Sequence, residues 1–139
     1  MDMTSKMQVS AELQNLGAIR RFVRDTATAL GGDCKAVDDM LQAVEEAAAN
    51  IVVHGYRGQP GDIEVEVSLE KTVLVVRLRD RATLFDPTSI PPPDLTRPLE
   101  ERRLGGLGVH LARHFTDSMT YRVTDDGRNE LTLRRKISS

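Results

Sequence analysis

The chain has 139 residues, 40% apolar and 29% charged, the size and balance of one soluble domain built around a single core. Nineteen basic residues stand against twenty-one acidic ones, so no direct nucleic-acid partner is expected, because backbone binding needs a net basic face. A single cysteine, Cys34, excludes an intramolecular disulfide and a Cys-rich zinc site, and is expected to be a free buried thiol in a reducing cytoplasm.

The first residues, with Asp2, Ser5 and Gln8, form no apolar leader, and Met7, Val9 and Ala11 alternate with polar neighbours as a short strand does. Over residues 13–30, Leu16, Ile19, Phe22 or Val23, and Ala27 recur at helical spacing. Gly31-Gly32 ends that helix and Asp33 caps the next. The second helix is expected over residues 35–54, with Val37, Leu41, Val44, Ala48 and Ile51 as its apolar stripe. Its apolar run over residues 47–53 contains Asn50 and is too short to span a bilayer, so no membrane partner is expected.

Ile63, Val65, Val67 and Leu69 then alternate with Glu64, Glu66 and Ser68, and residues 73–80 return as the second strand of a hairpin. Residues 86–103 lose all periodicity and carry Pro87, Pro91-Pro92-Pro93 and Pro98; a loop of that length suits a lid, placed at about residues 86–105. A glycine-opened helix over residues 104–115 follows. Met119, Tyr121 and Val123, a turn at Asp126-Gly127, then Leu131 and Leu133 make a second hairpin. This order predicts an α+β, two-layer sandwich over residues 1–139: a mixed, mostly antiparallel sheet of about five strands with three helices on one face.

Three segments carry candidate chemistry. Glu46 and Asn50 lie one turn apart, nearly opposite the apolar stripe, and are flanked by the small residues Ala43, Ala47 and Ala49. That pair is either a solvated face or a ligand site, where oxygens suit magnesium and the carboxylate suits a general base. Gly105-Gly106-Leu107-Gly108 opens a helix, as a hinge or as a place for phosphates. Asp80 ends a strand, as a turn residue or as an acceptor for an adenine amino group.

Together and in order, these segments resemble the GHKL (Bergerat-fold) ATPases, and among them the anti-sigma-factor serine kinases of the RsbW and SpoIIAB type. Val44-Glu45-Glu46-Ala47-Ala48-Ala49-Asn50-Ile51-Val52-Val53-His54-Gly55-Tyr56 is similar to that family's N-box, including its His-Gly-Tyr end. Residues 80–87 look like its Asp-x-Gly-x-x-Phe-Asp-Pro box, and residues 104–112 like its Gly-Gly-x-Gly box. The resemblance spans essentially the whole chain.

It implies ATP or ADP with Mg2+ as cofactors, Asn50 on the metal and Glu46 as the base. It further implies Asp80, Ala82 and Phe85 around the base of the nucleotide, and Gly105, Gly106, Leu107 and Gly108 around its phosphates. The implied activity is phosphorylation of a serine on a STAS-domain anti-anti-sigma partner, combined with sequestration of a sigma factor or equivalent target. The implied assembly is a cytoplasmic homodimer with Arg20 of the first helix at the partner surface; Arg20-Arg21 as a solvated charge pair is the other reading.

Two positions depart from the family pattern. Ala82 stands where the box has glycine, and Leu84 where a small residue or proline is usual. A β-carbon at residue 82 is expected to weaken nucleotide binding by crowding or by opposing a positive φ. The alternative function is therefore a non-catalytic partner-switching module with weak or no ATP binding. His110 and His114, one turn apart, read as helix surface, and Arg134-Arg135-Lys136 as a solvated strand end. Arg97, Arg102 and Arg103 are either phosphate clamps or an exposed basic loop.

Overall fold

The structure, a computed structural model, describes residues 4–89 and 106–138. Among these residues five strands form one sheet: β1 (Thr4–Ser10), β2 (Asp62–Glu70), β3 (Val73–Asp80), β4 (Ser118–Val123) and β5 (Asn129–Lys136). Their spatial order is β1-β2-β3-β5-β4, and all four ladders are antiparallel. Three helices, α1 (Leu16–Ala29), α2 (Cys34–Asn50) and α3 (Gly106–His114), supply the second layer, giving the expected α+β sandwich.

Period-two alternation decides which face of the sheet meets the helices. Ile63, Val65 and Val67 of β2, Leu74, Val76 and Leu78 of β3, and Leu131 and Leu133 of β5 pack with Ile19, Val23, Met40, Leu41 and Val44 of the helices. Truncating any of the larger ones to alanine would cost about 2–5 kcal/mol. The central helix α2 lies between α1 and α3, which explains why it is apolar or small nearly all round.

Helix ends follow local chemistry. Gly31 has φ +102°, and a β-carbon on Gly32 would stand 2.8 Å from Val37 Cγ2, so the turn between α1 and α2 admits glycine alone without a shift. Asp33 caps α2 by accepting from the Ala36 amide, and its other oxygen accepts from the Ser138 amide.

Three expectations are corrected. Cys34 is exposed, because it opens α2 rather than sitting within its buried stripe. The second helix does not run unchanged to residue 54: α geometry ends at Asn50 and a π turn, Ile51–Tyr56, continues it. Arg135 is no solvated tail residue. Its guanidinium donates twice to Asp39 Oδ2, at 3.2 and 3.0 Å, joining β5 to α2.

The sheet face away from the helices is an ionic lattice. Arg79 reaches Glu64 and Glu130 at 2.6 Å each and Glu66 at 3.3 Å, while Arg77 holds Glu66 and Arg122 holds Glu130. Beneath these long side chains Glu66, Ser68, Val75 and Glu130 are buried, although no described helix covers them.

Candidate functional site

The π turn shapes one wall of a cleft. An extra residue per turn is uncommon in helices and concentrates at functional positions. Here it places His54, Gly55 and Arg57 on the same cleft as Asn50 and Ile51. Arg57 (φ 53°) and Gly58 (φ 83°) then take left-handed conformations that turn the chain toward β2. Tyr56 fastens this turn: its hydroxyl donates to the Asp62 carbonyl at 2.7 Å and accepts from the Arg81 amide at 2.8 Å. A β-carbon on Gly61 would stand 2.0 Å from the Tyr56 ring, so no side chain fits there.

The opposite wall is built by the ends of β3 and β5 and the segment after β3. The enclosed volume is about 470 Å3, within the range of small-molecule pockets, and its lining is mostly apolar. Asp80 ends β3 on the helix-facing side, one alternation beyond Leu78, and is only 5% exposed. Its Oδ1 accepts from the Ala82 amide and from Asn129 Nδ2, both at 2.9 Å. No described protein group donates to Oδ2, and Asp80 lines the cleft, so the carboxylate offers a ligand one acceptor oxygen. Burial pushes its pKa up, and the bonds from Asn129 and Ala82 offset part of that rise.

Asn50, Asp80, Ala82 and Phe85 line this one cleft, Phe85 with its ring half exposed at the edge. Glu46 lies one turn before Asn50 and is half-buried. Its Oε2 stands 3.0 Å from where a β-carbon on Gly108 would be, so α3 approaches α2 closely because residue 108 is glycine. Gly106 and Leu107 form the first turn of α3, while Gly105, Arg97, Arg102, Arg103 and most of the expected lid lie outside the described residues. Arg20 sits on α1, away from the cleft, and pairs with Glu45 at 2.6 Å.

The residue expected to obstruct a ligand does not strain the chain. Ala82 is absent from the positive-φ positions, so its β-carbon meets no backbone penalty. That methyl group packs toward Gly55, where an added β-carbon would be 3.2 Å away. His54 also lines the cleft, and its carbonyl accepts from Arg57 Nε at 3.3 Å.

Two important residues escaped the sequence reading. Asn129 is buried and lines the cleft, and so does Tyr121. The signal was present: counting back by twos from Leu133 and Leu131 puts Asn129 on the core face, where a polar residue needs partners.

The arrangement fits a nucleotide in its base and in its metal. An acceptor oxygen at the bottom of an apolar slot suits an exocyclic amine on a flat ring. Among the described residues no group of three His, Cys, Asp or Glu side chains forms a metal cage. Asn50 alone fits a hard cation that brings most of its own oxygens with a phosphate chain and water.

The chain is 27% identical to the serine-protein kinase RsbW of Bacillus cereus over 118 residues, 82% of this chain and 74% of the relative. The RsbW of Bacillus anthracis matches with the same identity and coverage. A solved structure of the RsbU and RsbW domains of a Mycobacterium tuberculosis protein superposes with a TM-score of 0.70 at 18% identity, a likeness of fold. It covers 99% of this chain and 33% of that one, so this chain spans about a third of the length of that protein. The histidine kinase-like ATPase domain family matches residues 9–135, and the chain belongs to it.

Proposed function

We propose that this chain is an ATP-dependent protein-serine kinase and anti-sigma factor. It acts on a STAS-domain anti-anti-sigma partner, sequesters a sigma factor or equivalent target, and works in the cytoplasm as a homodimer. The observation that carries the reading is Asp80, a buried carboxylate with one oxygen left for a ligand, at the base of a cleft that also presents Asn50. The RsbW relatives supply the reaction class.

ATP bound there would supply the transferable phosphoryl group and bring its magnesium ion. Asp80 Oδ2 accepts from the base, and Phe85 covers the edge of the slot. Asn50 offers its amide oxygen to the metal. Glu46, beside Gly108 at the start of α3, accepts the proton of the incoming serine hydroxyl at Oε2. So few side chains suffice because phosphoryl transfer needs mainly positioning and charge neutralisation. Arg20 takes part in partner contact after leaving Glu45.

The test is a mixture of the chain, Mg-ATP and a STAS-domain partner, read by phosphoserine formation. Phosphate on the partner that disappears with Glu46→Ala is expected; no transfer by the unsubstituted chain contradicts the kinase reading. The second reading, a partner-switching module without catalysis, draws on Ala82 and on Leu84, which is 54% exposed at the cleft. It predicts partner binding that ignores ATP. The unstrained backbone at Ala82 favours the kinase.

A further inference from the structure

Beside Asp80, one buried amide meets five hydrogen-bonding partners, all of them in the protein. Asn129 Nδ2 gives one N–H to Asp80 Oδ1 at 2.9 Å and shares the other between the carbonyls of Ala82 and Thr83 at 3.2 and 3.4 Å. Its Oδ1 accepts from the Phe85 amide at 3.1 Å and from the Tyr121 hydroxyl at 2.5 Å. This orientation satisfies the network, since a flipped amide would set NH2 against the Phe85 N–H and its oxygen against three acceptors. Asn129 therefore has nothing left to give a ligand. Its register explains its reach, because it stands directly opposite Asp80 in the β3–β5 ladder.

We infer that Tyr121 and Asn129 are positioning residues that act through Asp80 and the segment 82–85 to set how tightly the cleft binds a purine nucleotide. The inference rests on the nucleotide reading given above. Tyr121 fixes the rotation of the Asn129 amide, and the amide spends Asp80 Oδ1 on the protein. Oδ2 is thereby the oxygen turned to the base. The same amide ties Ala82, Thr83 and Phe85 into the wall against which the base lies. A neutral donor does this where an arginine would not: it holds the carboxylate without cancelling the charge the ligand meets.

The groups that face Asp80 from neighbouring elements are Tyr56 of the π turn and Tyr121 of β4, with Asp86 beyond Tyr121. His54 and Arg57 share the cleft. These residues are the same in Asn129→Asp and in the unsubstituted chain, so the difference between the two proteins reads the new carboxylate together with its coupling to Asp80 and Tyr121. That variant keeps the acceptor for Phe85 and Tyr121 but replaces the donor to Asp80 with a second carboxylate. One proton shared by the two carboxyl groups restores the donor.

The experiment is calorimetric titration of Mg-ADP into the full chain, Tyr121→Phe and Asn129→Asp, at about pH 8 and about pH 6. Tyr121→Phe should weaken ADP binding by about threefold to tenfold. Asn129→Asp should weaken it by about tenfold or more at the higher pH and recover relative to the unsubstituted chain at the lower. Circular dichroism checks folding, and Tyr121→Phe, which loses one oxygen atom, keeps the test alive if Asn129→Asp unfolds. ADP affinities equal to the unsubstituted chain in the folded variants would overturn the relay alone. An unsubstituted chain that binds no ADP would instead overturn the nucleotide reading and the relay with it.

Discussion

Asp80 and Glu130 are both buried carboxylates, one register step apart on neighbouring strands, yet the fold treats them in opposite ways. Glu130 faces the ionic side of the sheet, where burial pushes its pKa up but bonds from Arg122 and Arg79 hold it below the ordinary value. Asp80 faces the helices, where burial dominates and only an amide side chain and one backbone N–H oppose it, so its pKa is raised. A carboxylate that serves stability is given cations for both oxygens. Asp80, which the proposed function gives to a ligand, is held through a single oxygen and without a cation, at a cost to the fold.

The comparison breaks most severely at Arg79, which serves Glu64, Glu66 and Glu130 together. Arg79→Leu should destabilise the chain by about 3 kcal/mol in urea unfolding, since three carboxylates lose a shared cation under partial burial. Asp80→Asn works on the other side. Its amide oxygen still accepts from Ala82 and Asn129, and no charge is buried. Its melting temperature should be unchanged or higher, while ADP affinity falls by about tenfold to a hundredfold. A lower melting temperature would show that Asp80 is structural.

Acid separates the two carboxylates further. Glu130, Glu64 and Asp39 have lowered pKa values, despite burial as the largest opposing influence, because arginine and lysine partners hold them ionised. Their contribution is full above about pH 4.5 and is lost as pH falls through the lowered values. Asp80 has the reverse sign: its raised pKa costs stability above that value, and the cost disappears on acidification. Melting curves between neutral and acid pH should show a net loss of stability toward acid, with a steeper loss in Asp80→Asn. The smallest effect concerns Gly108→Ala. Its β-carbon would press on Glu46 Oε2, so phosphoryl transfer should fall by about tenfold while stability changes by less than about 1 kcal/mol.

Much of this is legible in the amino-acid sequence. Alternation marked β2 and β3 to within a residue or so, and Gly31-Gly32-Asp33 marked the break between α1 and α2 because each residue has a local reason to be there. Asn50, Asp80, Ala82 and Phe85 stand in motifs that the sequence displays, and they meet in one cleft. What stayed hidden depends on tertiary partners. The π turn after Asn50 has the same composition as an α-helix, so no periodicity reveals it. Arg135 reads as a charged strand end until Asp39, distant in sequence, is seen beside it. Asn129 shares the core-face alternation of Leu131 and Leu133, but its partner becomes evident only when it is seen opposite Asp80 in the ladder.

Nucleotide binding in this cleft requires Asp80 to be a ligand-facing carboxylate rather than a structural one. Titrating Mg-ADP into the unsubstituted chain and into Asp80→Asn measures that directly. Binding by the former, and a loss of about tenfold or more in a variant that melts no lower, is the predicted result. Equal affinity in both proteins would contradict it.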